Sequence, residues 1–588
     1  MNMTGAEVVA DFIHTCLFPQ VFLVTGGACA FMVDAIGEHP ELDYVCFQHE
    51  QGAAMAADAV WRTSSRVGVT MATSGPGATN LITGIACSWF DSIPSFHITG
   101  QVNDSESAAY LGAKVRQAGF QETDIVSMVK PITKFARRVS SIGDLCGALV
   151  EGYRTAISGR MGPVLIDIPM NIQKAEIAAA DWYRYRDSLS ESGVSKEVPP
   201  LLELSTHFAN ARRPLVHIGG GLVLSNKTHF VQRWCEENSI PFVSSWSAMP
   251  HIDRSSSLYL GSIGVYGSRV ANWTVQACDL FISLGSRLDN RQRTASPKGF
   301  APFATKIVVD IDEEELKKFA PEYKRVCFDL AFVDQSLTPL PSSCDLTKWN
   351  QLISEMRQQI SEGMDEATGK NELNPYEAVR TVQRMLDDDA IIVSDCGANL
   401  CWVYQSFLPS NQLLFTAAGN SPMGYSLPAA IGASISNPER QIACFIGDGG
   451  FQMNIQELQT IAHLNLPIKI FIQNNAGYGI IKQFQDTYFS GRHHASGVGY
   501  SVPSFSALAA AYGIPYLSAS SRRELDAVSI NESGPQVIDI KLPEDSLITP
   551  KVEMDRFIHD QFPYSKNPGS SSLPYQYPSR PSQLPTIT

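Results

Sequence analysis

Short apolar runs, each ending in a turn rich in Gly, Pro or small polar residues, recur along the chain. In the first 180 residues these are Val21–Val24, Tyr44–Phe47, Val67–Ala72 and Val164–Ile168, interleaved with the helix-like stretches Ala6–Thr15 and Gly52–Val60. Runs of this kind leading through turns into helices predict α/β units on a parallel sheet. The pattern returns at Leu215–Ile218, Leu280–Leu284 and Ile307–Ile311, and again at Ile391–Ser394, Ala443–Ile446, Ile468–Gln473 and Gln536–Ile540. The predicted fold is therefore α/β, with three doubly wound parallel-sheet domains at residues 1–180, 195–340 and 366–550. The polar Asp187–Ser195, followed by Pro199-Pro200, reads as a linker. Residues 345–374 read as a helix and a polar connection. From Lys551 a Ser-rich stretch punctuated by Pro563, Pro568, Pro574, Pro578, Pro581 and Pro585 cannot bury a core. This 551–588 tail is expected to be extended, either disordered or wrapped over a neighbouring surface.

Length agrees with several domains, since 588 residues exceed what one core can serve. A net charge of −14 argues against nucleic acid or an anionic membrane as partner and favours small-molecule substrates. No apolar segment reaches the roughly 20 residues that span a bilayer. Met1–Val9 shows no basic stretch ahead of an apolar run, so no secretory signal is expected. The twelve cysteines are scattered, without a Cys-x-x-Cys pair, as expected for free thiols in a reducing cytoplasm.

Candidate chemistry lies where two of these strands end. Ala443–Ile446 runs into Gly447-Asp448-Gly449-Gly450, with a helix-like Asn454–His463 beyond; Ile468–Gln473 runs into Asn474-Asn475. Open α/β sheets place ligands at the carboxyl ends of their strands. Mg²⁺ takes oxygen ligands and commonly combines a protein carboxylate with phosphates. Asp448 offers the carboxylate, Asn475 an amide oxygen and Gly477 a backbone carbonyl, while Gly449 and Gly450 let backbone N–H groups approach a phosphate. A second candidate is Glu50, in Phe47-Gln48-His49-Glu50-Gln51-Gly52-Ala53-Ala54. A carboxylate at a strand end, ahead of a small-residue helix, can share a proton with a ring nitrogen in a dry pocket.

The pairing Gly-Asp-Gly…Asn-Asn resembles the signature of thiamine-diphosphate enzymes. His49 to Ala57 and Thr73-Ser74-Gly75-Pro76-Gly77-Ala78-Thr79-Asn80 match the same family. The resemblance implies a pyrimidine-binding N-terminal domain, a central nucleotide-binding-like domain and a C-terminal diphosphate-binding domain. It implies that Glu50 activates the cofactor, with Met423 of Ser421-Pro422-Met423-Gly424 as the apolar support beneath its bent rings. Gly27, Pro76 and Asn80 are expected on the pyrimidine side, and Gly397, Asn399, Ser421, Gly449 and Gly450 on the diphosphate side.

From Met3 to about Pro543 the chain resembles the acetolactate synthase branch, through Phe120-Gln121-Glu122, Gly162–Pro169 and Asn454-Ile455-Gln456-Glu457-Leu458. Phe120 and Gln121 are carried over as catalytic. The resemblance further implies FAD in a structural role, contacting Gly219, Gly220, Gly221, Gly285, Arg287, Asp289, Asp310 and Asp329. Three positions depart from that branch. Met170 stands where a Lys is usual, Phe484 where a Trp is usual, and Gly397-Ala398-Asn399-Leu400 replaces Gly-Gln-His-Gln. The expected reaction is decarboxylation of pyruvate and transfer of the two-carbon acyl-anion unit to an acceptor carbonyl. The altered pocket at Met170 and Phe484 points slightly toward a nucleotide-linked keto-deoxysugar, with a second 2-oxo acid close behind. A non-ligating decarboxylase or an oxidase would share the same core. The family places the pyrimidine-side and diphosphate-side residues of one site on different subunits, so a homodimer or homotetramer is expected.

Overall fold

Three six-stranded sheets, all of their pairings parallel, form the frame of the molecule. They are seen in a computed structural model that describes residues 2–191, 204–294, 299–340, 345–369, 372–531 and 533–564. The N-terminal sheet uses Gln20–Val24, Asp43–Cys46, Val69–Ala72, Phe96–Gln101, Phe135–Arg138 and Val164–Pro169. Counted along the chain, its strands lie in the spatial order 2-1-3-4-6-5. The C-terminal sheet, from Ile391–Ser394, Leu413–Phe415, Ile442–Gly447, Ile468–Asn474, Tyr516–Ala519 and Gln536–Lys541, repeats that order. The central sheet, from Pro214–Ile218, Phe242–Ser244, Tyr259–Ser262, Leu280–Leu284, Thr305–Asp310 and Tyr323–Cys327, is ordered 3-2-1-4-5-6. That is the order of dinucleotide-binding folds, in which the strand direction of travel reverses between strands 1 and 4.

The inner strands are buried on both faces, which is why they read as continuous apolar runs and not as alternating ones, whereas edge strands such as Asp43–Cys46 and Tyr323–Cys327 are largely exposed. One hydrophobic core is shared between the outer domains. It joins Phe22, Val45 and Phe47 to Ile391, Val393, Ala429 and Ile446. At its centre the helix Glu50–Ser64 lies against the helix Ser426–Ser436. The approach is close enough that a Cβ on Gly432 would stand 2.2 Å from the Ala56 carbonyl oxygen. On another face, a Cβ on Gly84 would stand 2.3 Å from that of Ala54. The small residues of Gly52–Val60 are therefore the condition for this packing.

Three local expectations change. The helix Ala179–Glu191 runs through Asp187 into the segment read as a linker. Tertiary contacts hold it there, with Trp182 donating to Asp11 at 2.7 Å and Arg186 paired to the same carboxylate. The single helix expected over Asn454–His463 is two pieces, a 3-10 turn Ile455–Glu457 and a helix Leu458–His463, and a separate helix begins at Asp448 itself. The tail is anchored where it starts. Lys551–Val552 pairs antiparallel with Gln561–Phe562, and the Arg269 guanidinium donates to the carbonyls of Gln561 and Pro563. The remainder of the expected tail lies outside the described residues. Among the described residues no helix is long and apolar enough to cross a membrane, and every cysteine is a free thiol.

Gly432→Ala forces the two helices apart at a backbone contact that no side-chain rotation can relieve. It is expected to lower stability by about 1–3 kcal/mol, read as an earlier urea or thermal midpoint; an unchanged midpoint would contradict this packing.

Candidate active site

In the N-terminal sheet the order reverses between the first and third strands, and their carboxyl ends open into Gly26-Gly27 and Gly75-Pro76. Glu50 is the first residue of its helix, capped by His49, whose ring accepts from the Gln51 N–H at 3.1 Å. The Glu50 side chain is 7% exposed, and its Oε2 accepts from Asn80 Nδ2 at 2.9 Å. Its other oxygen faces Gly77, where a Cβ would come to 3.2 Å. Gly27 has open space beside it, and Pro76 is exposed at the head of the helix Pro76–Asn80. Gly75 and Gln121 both have left-handed backbones, and a Cβ on Gly75 would meet that of Gln121 at 2.9 Å. Gln101 supports this loop by donating to the Thr123 carbonyl and to Asp167, each at 3.0 Å. Burial pushes the Asp167 carboxyl up to about 6, against the hydrogen bonds it accepts from Gln101 and Thr99. Phe120, by contrast, is 84% exposed.

At the matching reversal of the C-terminal sheet, Asp448 follows Ile442–Gly447 and is buried. Its Oδ1 accepts from Tyr500 Oη at 2.8 Å and its Oδ2 from the Gly477 N–H at 3.2 Å. Desolvation raises its proton affinity, opposed by those hydrogen bonds, so a cation here would relieve an unfavourable burial. Asn475 is buried nearby, and its Nδ2 has no hydrogen-bond partner. A buried amide whose NH₂ finds no acceptor leaves its oxygen available to a metal. No group of three His, Cys, Asp or Glu among the described residues could hold a metal. The donor set Asp448, Asn475 and the Gly477 carbonyl thus fits Mg²⁺ completed by phosphate oxygens.

Around this centre the structure adds residues that the sequence had not indicated. Asp395 is fully buried and accepts from the N–H groups of Gly424 and Ser426 at 3.1 and 3.0 Å. It thereby fixes the turn bearing Met423, whose Cε lies 3.1 Å from the Cβ position of Gly449; Ser421 enters that turn with a left-handed backbone. Asn399 does not direct its amide outward. Its Nδ2 donates to Gln473 Oε1 at 2.5 Å, and its Oδ1 accepts from Ser394. The buried Gln473 Nε2 is then left without a partner. Gly449 makes room for the Tyr478 ring as well as for any phosphate, since a Cβ there would be 2.4 Å from that ring. Gly450 faces Asp395 in the same manner.

Within one chain the two edges are joined by Glu457. Its fully buried carboxylate accepts from the N–H groups of Gln48 and His49 at 3.3 and 3.1 Å and from Thr460 at 2.8 Å. Gln51 adds a bond to Asn454. Of the two pocket positions, Met170 opens the short helix Met170–Gln173 in the N-terminal domain. Phe484 lies in the C-terminal helix Gly479–Phe489, its ring 4.6 Å from that of Tyr488.

The central domain presents its glycines at its own reversal. Gly219 and Gly221 lie against the Gly285 backbone, where Cβ atoms would come within 2.3 and 2.8 Å, so these two are required by packing. Gly220 is less confined, meeting Ser247 at 3.3 Å. Asp289 and Asp329 cap the short helices that follow them, and Asp310 ends its strand with a carboxyl raised by burial. Arg287 reaches the junction of all three domains, with Nη2 3.0 Å from the Cβ position of Gly419, itself packed on Phe90 and Asp91. Strand order, the open Gly220 and this arginine fit a dinucleotide bound at the reversal.

Two parallel sheets of one topology, each with polar groups gathered at its reversal, and a dinucleotide-type sheet between them define a thiamine pyrophosphate enzyme. Three family models agree with this: the N-terminal TPP binding domain over residues 3–128, the central domain over 202–336 and the C-terminal TPP binding domain over 395–540. Within that class the chain belongs to the acetolactate synthase-like enzymes, of transferase or carboligase type. It is 32% identical to acetolactate synthase isozyme 1 large subunit of Escherichia coli, covering 94% of this chain and 96% of that one. Against acetolactate synthase 1, chloroplastic, of Zea mays the figures are 32%, 93% and 87%; against the Lactococcus lactis large subunit they are 30%, 93% and 94%.

Of the added residues, Glu457 stood in a recognisable motif but carried no sign of its role, and Tyr500 and Gln473 gave no signal at all. Glu457 also has a pH signature. Burial pushes its carboxyl up to about 7 from an ordinary 4.5. The unfolded chain ionises this acid first, so the group opposes folding increasingly as pH rises between those values. Glu457→Gln, which keeps an acceptor for Gln48 and His49, is expected to lessen that loss. Its gain over the parent, up to roughly 3 kcal/mol, should appear near pH 8 and shrink near pH 5. Parallel thermal-unfolding profiles of the two proteins across that range would contradict it.

Proposed function

We propose that the chain decarboxylates pyruvate and joins the resulting two-carbon unit to an acceptor carbonyl. The observation that carries this reading is the buried Glu50–Asn80 pair at one sheet reversal, with Asp448 and the unsatisfied Asn475 at the equivalent reversal of its topological twin. Bound thiamine diphosphate supplies the electron sink that makes cleavage next to a carbonyl feasible. Glu50 holds and moves the proton at the pyrimidine side. Burial strengthens its hydrogen bonds, and Asn80 leaves one carboxylate oxygen free for that exchange. Asp448, Asn475 and Gly477 would hold Mg²⁺, while Gln473 and the N–H groups about Gly449 and Gly450 would hold phosphate oxygens. Met423, on the turn fixed by Asp395, would give the cofactor an apolar support. FAD, held at Gly220 and Arg287, serves structure and not redox chemistry.

The similarity to acetolactate synthases over nearly the whole chain supports a 2-oxo acid as acceptor. Met170 and Phe484 favour the other reading, a nucleotide-linked keto-deoxysugar. We also infer at least a homodimer. The loop ahead of Gln121 exposes Tyr110, Leu111, Val115 and Phe120 at 55–84%, an apolar group suited to a second copy of the chain.

Incubation with pyruvate, thiamine diphosphate and Mg²⁺ against a panel of acceptors tests the reaction. Acetolactate or a branched sugar supports ligation, whereas acetaldehyde or peroxide as main product replaces it with decarboxylation or oxidation. Glu50→Gln is expected to lower turnover about 10²–10⁴-fold with the fold intact by circular dichroism. Unaltered turnover would remove Glu50 from the mechanism.

A further inference from the structure

Among the described residues three lysines are buried, and two of them are satisfied. Lys306 donates to the Phe300 carbonyl and Lys469 to that of Gly534. The third, Lys551, is 6% exposed and has neither a hydrogen-bond acceptor nor an ion-pair partner among the described residues. A largely enclosed lysine whose ammonium has no acceptor in the chain offers its charge to an anion.

Its position is defined by its neighbours. Residues 548–554 run beside the helix Gly479–Phe489 and are fastened to it at both ends. Gln483 exchanges two hydrogen bonds with the Ile548 backbone, at 3.0 and 2.9 Å, and the Met554 N–H donates to Tyr488 Oη. Between these ties, Gln405 donates to the Pro550 carbonyl at 2.7 Å and the Val552 N–H to that of Val265 at 2.8 Å. Lys551 is thus midway along the stretch of helix that carries Phe484, close to the helix Gly397–Ser406.

Burial lowers its proton affinity, and the fields of Glu553, Cys401 and Asp486 oppose that. Neither acid is free to neutralise it. Glu553 is engaged by Arg556 and Tyr564, and Asp486 by His493. A positive charge is left over on the segment tied to the helix that carries Phe484.

We infer that Lys551 binds the anionic group of the acceptor, a carboxylate or a phosphate, and so selects charged acceptors over neutral ones. The inference rests on the carboligase reading above and adds a residue to that site from the segment read as a tail.

The test uses the full chain loaded with thiamine diphosphate, Mg²⁺ and FAD, with Lys551→Met and Lys551→Arg compared with the parent. The donor half-reaction is followed with pyruvate and ferricyanide, and ligation with 2-oxobutyrate, a nucleoside-diphosphate keto-deoxysugar and neutral benzaldehyde. Lys551→Met should raise the KM for the preferred anionic acceptor about tenfold more than that for benzaldehyde, or more than any change in the donor step, with Lys551→Arg between. An effect confined to 2-oxobutyrate marks a carboxylate site, and one confined to the sugar nucleotide a phosphate site. Equal changes for charged and neutral acceptors, or none, would overturn the role of Lys551. If the parent fails to turn over pyruvate with ferricyanide, the carboligase reading itself is overturned, and this assignment with it.

Discussion

The structure depends on how closely one helix can be approached. In Glu50–Ser64 six of the eight residues from Gly52 to Ala59 are Gly or Ala, and backbone or Cβ contacts with Gly68, Gly84 and Gly432 surround it. Such contacts gain dispersion energy from every atom but tolerate no added methyl group. The helix is also tied by charge. Asp58, fully buried, is paired with Arg62 at 2.7 Å and accepts from Ser88 and from Tyr425 of the C-terminal domain. Arg62 continues to Asp91, which in turn accepts from the N–H groups of Ala418 and Gly419. Removing one member of a buried, fully bonded network leaves an uncompensated charge. Apolar contact brings the outer domains together, and this network fixes how they sit.

That fixed seat gives Glu50 its setting. The acid occupies the first position of the same helix, where burial, a histidine cap and Asn80 hold it in one place. The C-terminal domain meets the start of this helix through Glu457, whose carboxylate covers the Gln48 and His49 N–H groups that the helix itself cannot satisfy. The positions of the two sheet reversals relative to each other within the chain are therefore set by helix packing and by one buried acid, not by the loops that carry the reactive groups.

The three sheets divide the chemistry. The outer pair share a strand order and present complementary groups, an acid and amide on one side and an oxygen-ligand set on the other. The central sheet has the dinucleotide order, and Arg287 links its reversal to both neighbours. The C-terminal segment completes the arrangement by returning across the middle and C-terminal domains. There it carries Lys551 past the helix of Phe484, a placement that local sequence does not announce.

Sequence alone determined much of this. Continuous apolar runs ending in turns marked eleven of the eighteen parallel strands, because a strand covered on both faces has no polar side to display; Phe96–Gln101 and Phe135–Arg138 were among those missed, since polar residues interrupt them. Glu50, Asp448 and Asn475 were legible as candidates because the expected chemistry asks for particular residue types just beyond the ends of such strands. The extent of the helix through Asp187, the break at Ile455–Glu457 and the fastening of Lys551 were not legible, since tertiary partners decide each of them. The same holds for Asn399. Its residue type suggests a phosphate donor, yet its amide donates to Gln473, distant in sequence. Local pattern sets which groups a strand end can offer, whereas their availability depends on neighbours that only the folded chain brings near.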